Sequence, residues 1–211
     1  MRARITFSKT AALRYVGHLD LQTLWERAAR RAGLPLAYSQ GFHPQPKMTF
    51  ASALPLGFSS RAEVMDILLR SEIELGDLPR RLESALPAGI AVLAVRSVDE
   101  AEPALQAQIR AAEYEVVLIG KVNAGDLQRQ IERLLEAHGL PRVRREKAYD
   151  LRPLIEELRI IESGERGGDV KVFMRLSARE AATGRPEEVL HEMGIAANDA
   201  RIERTRLIFQ G

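Results

Sequence analysis

The chain has 211 residues, 45% of them hydrophobic and 28% charged, with a formal net charge of +2. That is the composition of a folded protein, not of a disordered or fibrous one, and no apolar run approaches the ~18 residues that would cross a bilayer. The chain has no cysteine, which excludes disulfides, thiolate zinc sites, iron–sulfur clusters and a cysteine nucleophile.

Residues 2–8 alternate polar and apolar with period two and predict a strand. Leu21, Leu24, Trp25, Ala28, Ala29 and Ala32 then recur at helical spacing, so an amphipathic helix is expected over 19–32, stopped by Gly33 with Pro35 just beyond. Leu34 to Tyr38 reads as a short extended run. Residues 39–46 form a loop stiffened by Pro44 and Pro46. Strands are expected over 47–51 and 62–70. Leu75, Leu78, Leu82 and Leu86 predict a helix over 73–86 with Pro79 near its start, and 90–98 is a further strand.

Strand, helix, strand, strand, helix, strand is the βαββαβ unit of the ferredoxin-like fold. It closes near residue 100. Residues 101–112 read as a linker with at most one helical turn. The pattern then restarts, with a strand at 112–119, a helix at 123–138 and an alternating segment at 142–149. Strands follow at 154–161 and 170–176, joined by the glycine-rich 162–168. A helix opens at Arg185-Pro186-Glu187-Glu188, with Pro and acids in its first turn, and a strand closes the unit at 202–209. The expectation is an α+β protein of two tandem ferredoxin-like (βαββαβ) domains, 1–100 and 113–211. The alternating start also lacks a signal-peptide core, so a cytoplasmic protein with no membrane partner is expected.

Charge and aromatics concentrate at one end. Residues 1–50 hold eight Lys or Arg against two acids, and seven of the eleven aromatic residues lie between Phe7 and Phe58. Four segments are candidates for function. The first is Tyr38-Ser39-Gln40-Gly41-Phe42-His43-Pro44-Gln45-Pro46-Lys47. As a plain connection, Gly41 permits its turn and Phe42 packs on the core. As a ligand loop it holds Ser39, Gln40, His43 and Lys47 in fixed directions, so little entropy is lost on binding. The second is Tyr15-Val16-Gly17-His18-Leu19-Asp20. Here a helix start offers backbone N–H groups to an anion and His18 offers a proton carrier, beside the plain reading of Asp20 as a dipole partner.

The third segment is the helix face with Arg27, Arg30 and Arg31. With Arg2, Arg4, Arg14 and Lys47 it could form a surface for a polyanion, since RNA recognition combines basic charge with aromatic stacking. The fourth is the run Arg142 to Pro153, where Arg142 and Arg144 fall on one face of a strand. They would extend that surface or guard a sheet edge. His18, His43, His138 and His191 have no short metal-ligand spacing, and no P-loop, dinucleotide fingerprint or nucleophile elbow occurs. No metal and no cofactor are therefore expected.

Several segments together resemble a bacterial radical-SAM-linked domain of unknown function. They are Phe7-Ser8-Lys9, Arg14 to Asp20, Glu26 to Met48, Ala53-Leu54-Pro55-Leu56-Gly57, Asp150 to Ile155 and Arg185 to Leu190. In that family the domain is found as part of, or beside, a radical SAM protein. The resemblance implies an accessory or substrate-recognition role and a radical SAM partner. A weaker resemblance, of architecture, is to the CRISPR-repeat-processing endoribonucleases, which cleave RNA without metal. That resemblance implies His18, beside the first helix, as the nearest candidate proton carrier; the ribonuclease reading of the residues adds His43, with Lys47 or an Arg to stabilise the charge on phosphorus.

The leading expectation is a non-enzymatic RNA-binding module built on Arg14, His18, Arg27, Arg30, Arg31, Ser39, Gln40, His43, Lys47, Arg142 and Arg144. A metal-independent ribonuclease and a protein adaptor of the radical SAM enzyme are the alternatives.

Overall fold

The alternation at the start of the chain becomes strand β1, Arg2–Lys9, with Ala3, Ile5 and Phe7 buried on one face. In the computed structural model, residues 1–99, 101–120, 122–144, 146–163 and 169–210 are described. The chain divides into two units, Met1–Ile109 and Arg110–Gly211, and each is an α+β fold.

In the first unit β1 is followed by helix α1 (His18–Arg31), strands β2 (Met48–Phe50) and β3 (Ser59–Leu68), helix α2 (Leu78–Glu83) and strand β4 (Ile90–Val98). The strands lie in the order β2, β3, β1, β4, and every neighbouring pair is antiparallel. Helix α1 buries Leu21, Trp25, Ala28 and Ala29, the positions its spacing selects. Trp25 meets Phe7 edge to face at 4.8 Å, and Met65 and Ile67 complete that core. Burial of each such large side chain stabilises by roughly 1.5–3 kcal/mol.

Helix α1 ends in a Schellman turn. Gly33 takes φ 67° and donates to the Arg30 carbonyl, and Leu34 donates to Ala29. Arg81 from α2 caps the same end through the Ala32 and Gly33 carbonyls. Helix α2 is shorter than the leucine spacing predicts. Pro79 stands at its first turn, where its missing N–H is harmless. Ile73 and Leu75 still pack on the core, from an irregular approach.

The segment expected as the linker 101–112 contains the break between the two units, and the strand expected from 112 starts earlier. The segment's 3-10 turn, Leu105–Gln108, buries Leu105, and the next strand already starts at Ile109. The segment is tied to the sheet face opposite the helices. Arg2 donates to the Asp99 and Glu102 carbonyls, and Arg4 donates to Gln108 Oε1.

From Ile109 on, the elements are β5 (Ile109–Leu118), α3 (Ala124–Glu136), β6 (Pro141–Arg144), β7 (Lys147–Asp150) and β8 (Ile155–Ser163). They are followed by β9 (Val170–Arg179), β10 (Ala182–Thr183), α4 (Pro186–Glu192) and β11 (Ala200–Phe209). Strand β9 pairs antiparallel with β5 on one side and with β8 and then β10 on the other, and β11 lies beyond β5. Asn123 caps α3, its side-chain oxygen accepting from the Gly125 and Asp126 N–H groups. The alternating segment 142–149 is a small separate hairpin, β6–β7. Most of the glycine-rich turn expected at 162–168, and Arg145 of the second basic cluster, lie outside the described residues. Among the described residues no helix is long and apolar enough to cross a membrane.

Candidate functional site at the proline loop

The proline loop is closed at its base. Tyr38 and Pro46 form an isolated bridge, Ser39 N–H donates to the Gln45 carbonyl at 2.8 Å, and Gln45 N–H donates back to Ser39 Oγ at 3.0 Å. The Ser39 oxygen is thus used to hold the neck. Residues 40–44 stand on that neck, and Gln40, Phe42 and His43 are exposed. Phe42 is 101% exposed, so it does not pack on the core as the plain reading expects. The closed neck holds it away from the apolar interior.

Helix α1 adjoins the loop through Arg30. Its Nε donates to the Tyr38 hydroxyl at 3.1 Å, and its Nη2 pairs with Glu26 at 2.6 Å, one turn back. The Tyr38 bond and the Glu26 charge raise the Arg30 pKa. Arg31 leans back on the Arg27 carbonyl, and both guanidinium groups are exposed with no carboxylate partner among the described residues.

Arg14 and His18 are placed elsewhere. Arg14 donates to the Tyr15 hydroxyl at 2.7 Å and lies over that ring. The His18 ring meets Phe50 edge-on at 5.3 Å. Phe50 and Lys47 are three residues apart on an extended segment, about 10 Å.

Below the loop is a cleft of about 500 Å³ lined by Arg2, Ser39, Gln45, Pro46, Lys47, Met48, Thr49, Asp66 and Leu68. Ser39 and Lys47 are brought together here, whereas His18, His43 and Gln40 are not among its lining residues. Asp66 is a carboxylate on a buried stretch of β3 and needs a cation. Arg4 provides it through two bonds, Nε to Oδ1 at 2.7 Å and Nη2 to Oδ2 at 2.9 Å. Arg4 is only 4% exposed, so it adds no charge to the outer surface, contrary to its expected place there. Arg2 Nε is buried, 3.8 Å from Asp66 Oδ2, and has no hydrogen-bond partner. Lys47 is exposed and makes no ion pair among the described residues.

Sequence reasoning missed Asp66 and Thr49. The signal was present in an acid interrupting the apolar run Val64-Met65-Asp66-Ile67-Leu68, with Arg2 and Arg4 spaced to share one face of β1.

The second basic cluster is used inside its own unit. Arg144 makes a forked pair with Glu188 and also donates to the Thr183 carbonyl and the Tyr149 hydroxyl. Burial opposes the Arg144 charge, but Glu188 and Tyr149 more than offset it, and its pKa is raised. Arg142 pairs with Glu192 at 2.7 Å and contacts His191 Nδ1 at 3.0 Å. These donors clamp the β6–β7 hairpin to α4. Among the described residues, no group of three or more His, Cys, Asp or Glu side chains could hold a metal ion.

An α+β chain with a cation-lined cleft beneath an exposed aromatic loop is the class that this geometry defines. The chain belongs to a family described as "Uncharacterized protein conserved in bacteria (DUF2344)", whose model matches residues 2–186. No curated protein matches it. Among solved structures it is similar to one chain of the "Crystal Structure of a Cbf5-Nop10-Gar1 Complex", with a TM-score of 0.53 and 12% identity. The match covers 97% of this chain and 48% of that one, so this chain spans about half the length of its structural relative. At that identity the likeness is one of fold.

Proposed function

We propose that the protein is an RNA-binding accessory module that presents RNA or a ribonucleoprotein to a radical SAM partner enzyme. The observation that carries the reading is the proline loop. It holds Phe42 wholly in solvent on a closed neck, with His43 beside it and, on the adjoining segment and helix, Lys47, Arg27 and Arg31, which make no ion pair among the described residues. A base stacks on an exposed ring while phosphates meet the cations, the combination that single-stranded RNA recognition uses. The antiparallel order β2, β3, β1, β4 of the first unit, and the strand order β8, β9, β5, β11 of the second, support reading each as ferredoxin-like. Such four-stranded sheets are common RNA platforms.

The test is binding of single-stranded RNA over a salt series. Log affinity should fall linearly with log salt, because phosphate contacts release counterions. Failure to bind tRNA, rRNA fragments or single-stranded RNA at low salt overturns the reading.

A second reading, a protein adaptor of the radical SAM enzyme, is favoured by one observation. Tyr15, Leu19 and Leu56 are exposed, and the Arg14 carbonyl accepts from Gly57 N–H, which draws the segments bearing Tyr15 and Leu56 together. Exposed apolar groups that gather in one place mark interfaces. A Leu19→Glu, Leu56→Glu variant that still binds a purified radical SAM enzyme after nuclease treatment removes this reading.

A further inference from the structure

We infer that the cleft beneath the proline loop is a binding site for a phosphate monoester. The cleft is within the usual size range of small-ligand sites, at about 500 Å³. Its lining is rich in donors and poor in free acceptors. Lys47 brings an ammonium with three N–H groups and makes no ion pair among the described residues. Arg2 brings a guanidinium whose Nη groups are fixed on the Asp99 and Glu102 carbonyls, while its buried Nε–H, facing Asp66 at 3.8 Å, has no hydrogen-bond partner among the described residues. Thr49 and Ser39 add hydroxyl protons, and the Ser39 oxygen is already engaged by Gln45 N–H.

The one lining carboxylate, Asp66, has both oxygens bound by Arg4. Arg2 Nε also stands 3.8 Å from Asp66 Oδ2, so Arg2 and Arg4 share that one carboxylate and, with Lys47, leave the cleft net positive. A cation has no open carboxylate to meet here. A neutral ligand would leave that net positive charge unanswered. A phosphate monoester carries close to two negative charges at neutral pH and several acceptor oxygens, which matches two cations and several donors. The bonds of the Arg2 Nη groups hold its positive charge in place at the cleft wall, so little ordering is needed on binding.

The same chemistry can come from a free mononucleotide or from the phosphorylated end of an RNA strand. The second source rests on the RNA-binding reading, since the strand would leave the cleft along the loop that carries Phe42. The experiment titrates the full chain with inorganic phosphate, AMP, adenosine, and a short oligouridylate with and without a 5′-phosphate, by calorimetry at low salt. The proposal expects AMP to bind at least about tenfold more tightly than adenosine. Lys47→Gln should remove most of that preference, while the control Lys147→Gln, on exposed β7, should leave it intact. A shift of the Thr49 amide resonance with phosphate or AMP, but not with adenosine, would locate the ligand.

If the oligouridylate binds equally with and without its phosphate and AMP binds no better than adenosine, the cleft proposal is overturned and RNA binding survives. If AMP shows the Lys47-dependent preference but no RNA binds, the cleft stands and the RNA reading falls. Equal loss of AMP binding in Lys47→Gln and Lys147→Gln marks general charge attraction and also overturns the site.

Discussion

Arg27 and Arg31 on α1 and Arg142 and Arg144 on β6 are used in opposite ways. The α1 pair reaches solvent with no carboxylate partner among the described residues; of the two acids on its helix, Glu26 is held by Arg30 and Asp20 lies in the first turn. The β6 pair is answered by the acids of α4, with Glu188 forked by Arg144 and Glu192 paired to Arg142. Similar residues in similar density thus form a surface in one place and a clamp in the other. The count of cations does not decide which. The decision lies with whether tertiary packing sets an acid within reach, because a paired and half-buried charge is no longer on offer to a polyanion.

The comparison breaks most readily at Glu188. Glu188→Ala leaves Arg144, still partly buried, without its forked partner, and should cost about 2–3 kcal/mol of stability. Thermal unfolding checks this, and RNA affinity should be unmoved. On the other side, Phe42→Ala should leave stability unchanged, since the ring touches no core. It should weaken single-stranded RNA binding by about 1–3 kcal/mol if a base stacks there. An affinity unchanged in that variant would mean that the loop is only a connection.

The smallest effect sharpens the contrast within α4 itself. Glu187, beside Glu188, is mostly buried, and its Oε2 bonds to nothing, so burial raises its pKa above the ordinary glutamate range. The folded protein then keeps this proton over a pH window in which the unfolded chain has lost it. Within that window, which begins at the ordinary glutamate value, stability falls as pH rises. Glu187→Gln should remove that slope and raise stability at neutral pH by up to about 1 kcal/mol. Melting temperatures of the two proteins measured from pH 4 upward would show it, and parallel profiles would refute it.

How much could be read in advance differs from element to element. Helix α1 is expected at 19–32 and found at His18–Arg31, because a long amphipathic stripe and a glycine stop are local signals. Helix α2 is expected over 73–86 and found only over Leu78–Glu83, since leucines at helical spacing also pack from an irregular segment. The turn of the β6–β7 hairpin was invisible because it carries no glycine or asparagine. Glu146 takes φ 65° there instead. In the candidate site, the loop and Lys47 were legible from prolines and charge. The cleft was not, because strand register alone sets Arg4 and Thr49 opposite Asp66 and Arg2 two residues along, opposite Leu68.

From its residues alone, this protein's α+β character and its basic, aromatic beginning could be stated. These follow from short-range periodicity, turn chemistry and composition, which act within a few residues of chain. Which arginines are free, which are clamped, where Phe42 points and what lines the cleft were decided by tertiary structure. Each depends on groups far apart in sequence, and the low-dielectric interior penalises any charge that fails to find its partner there.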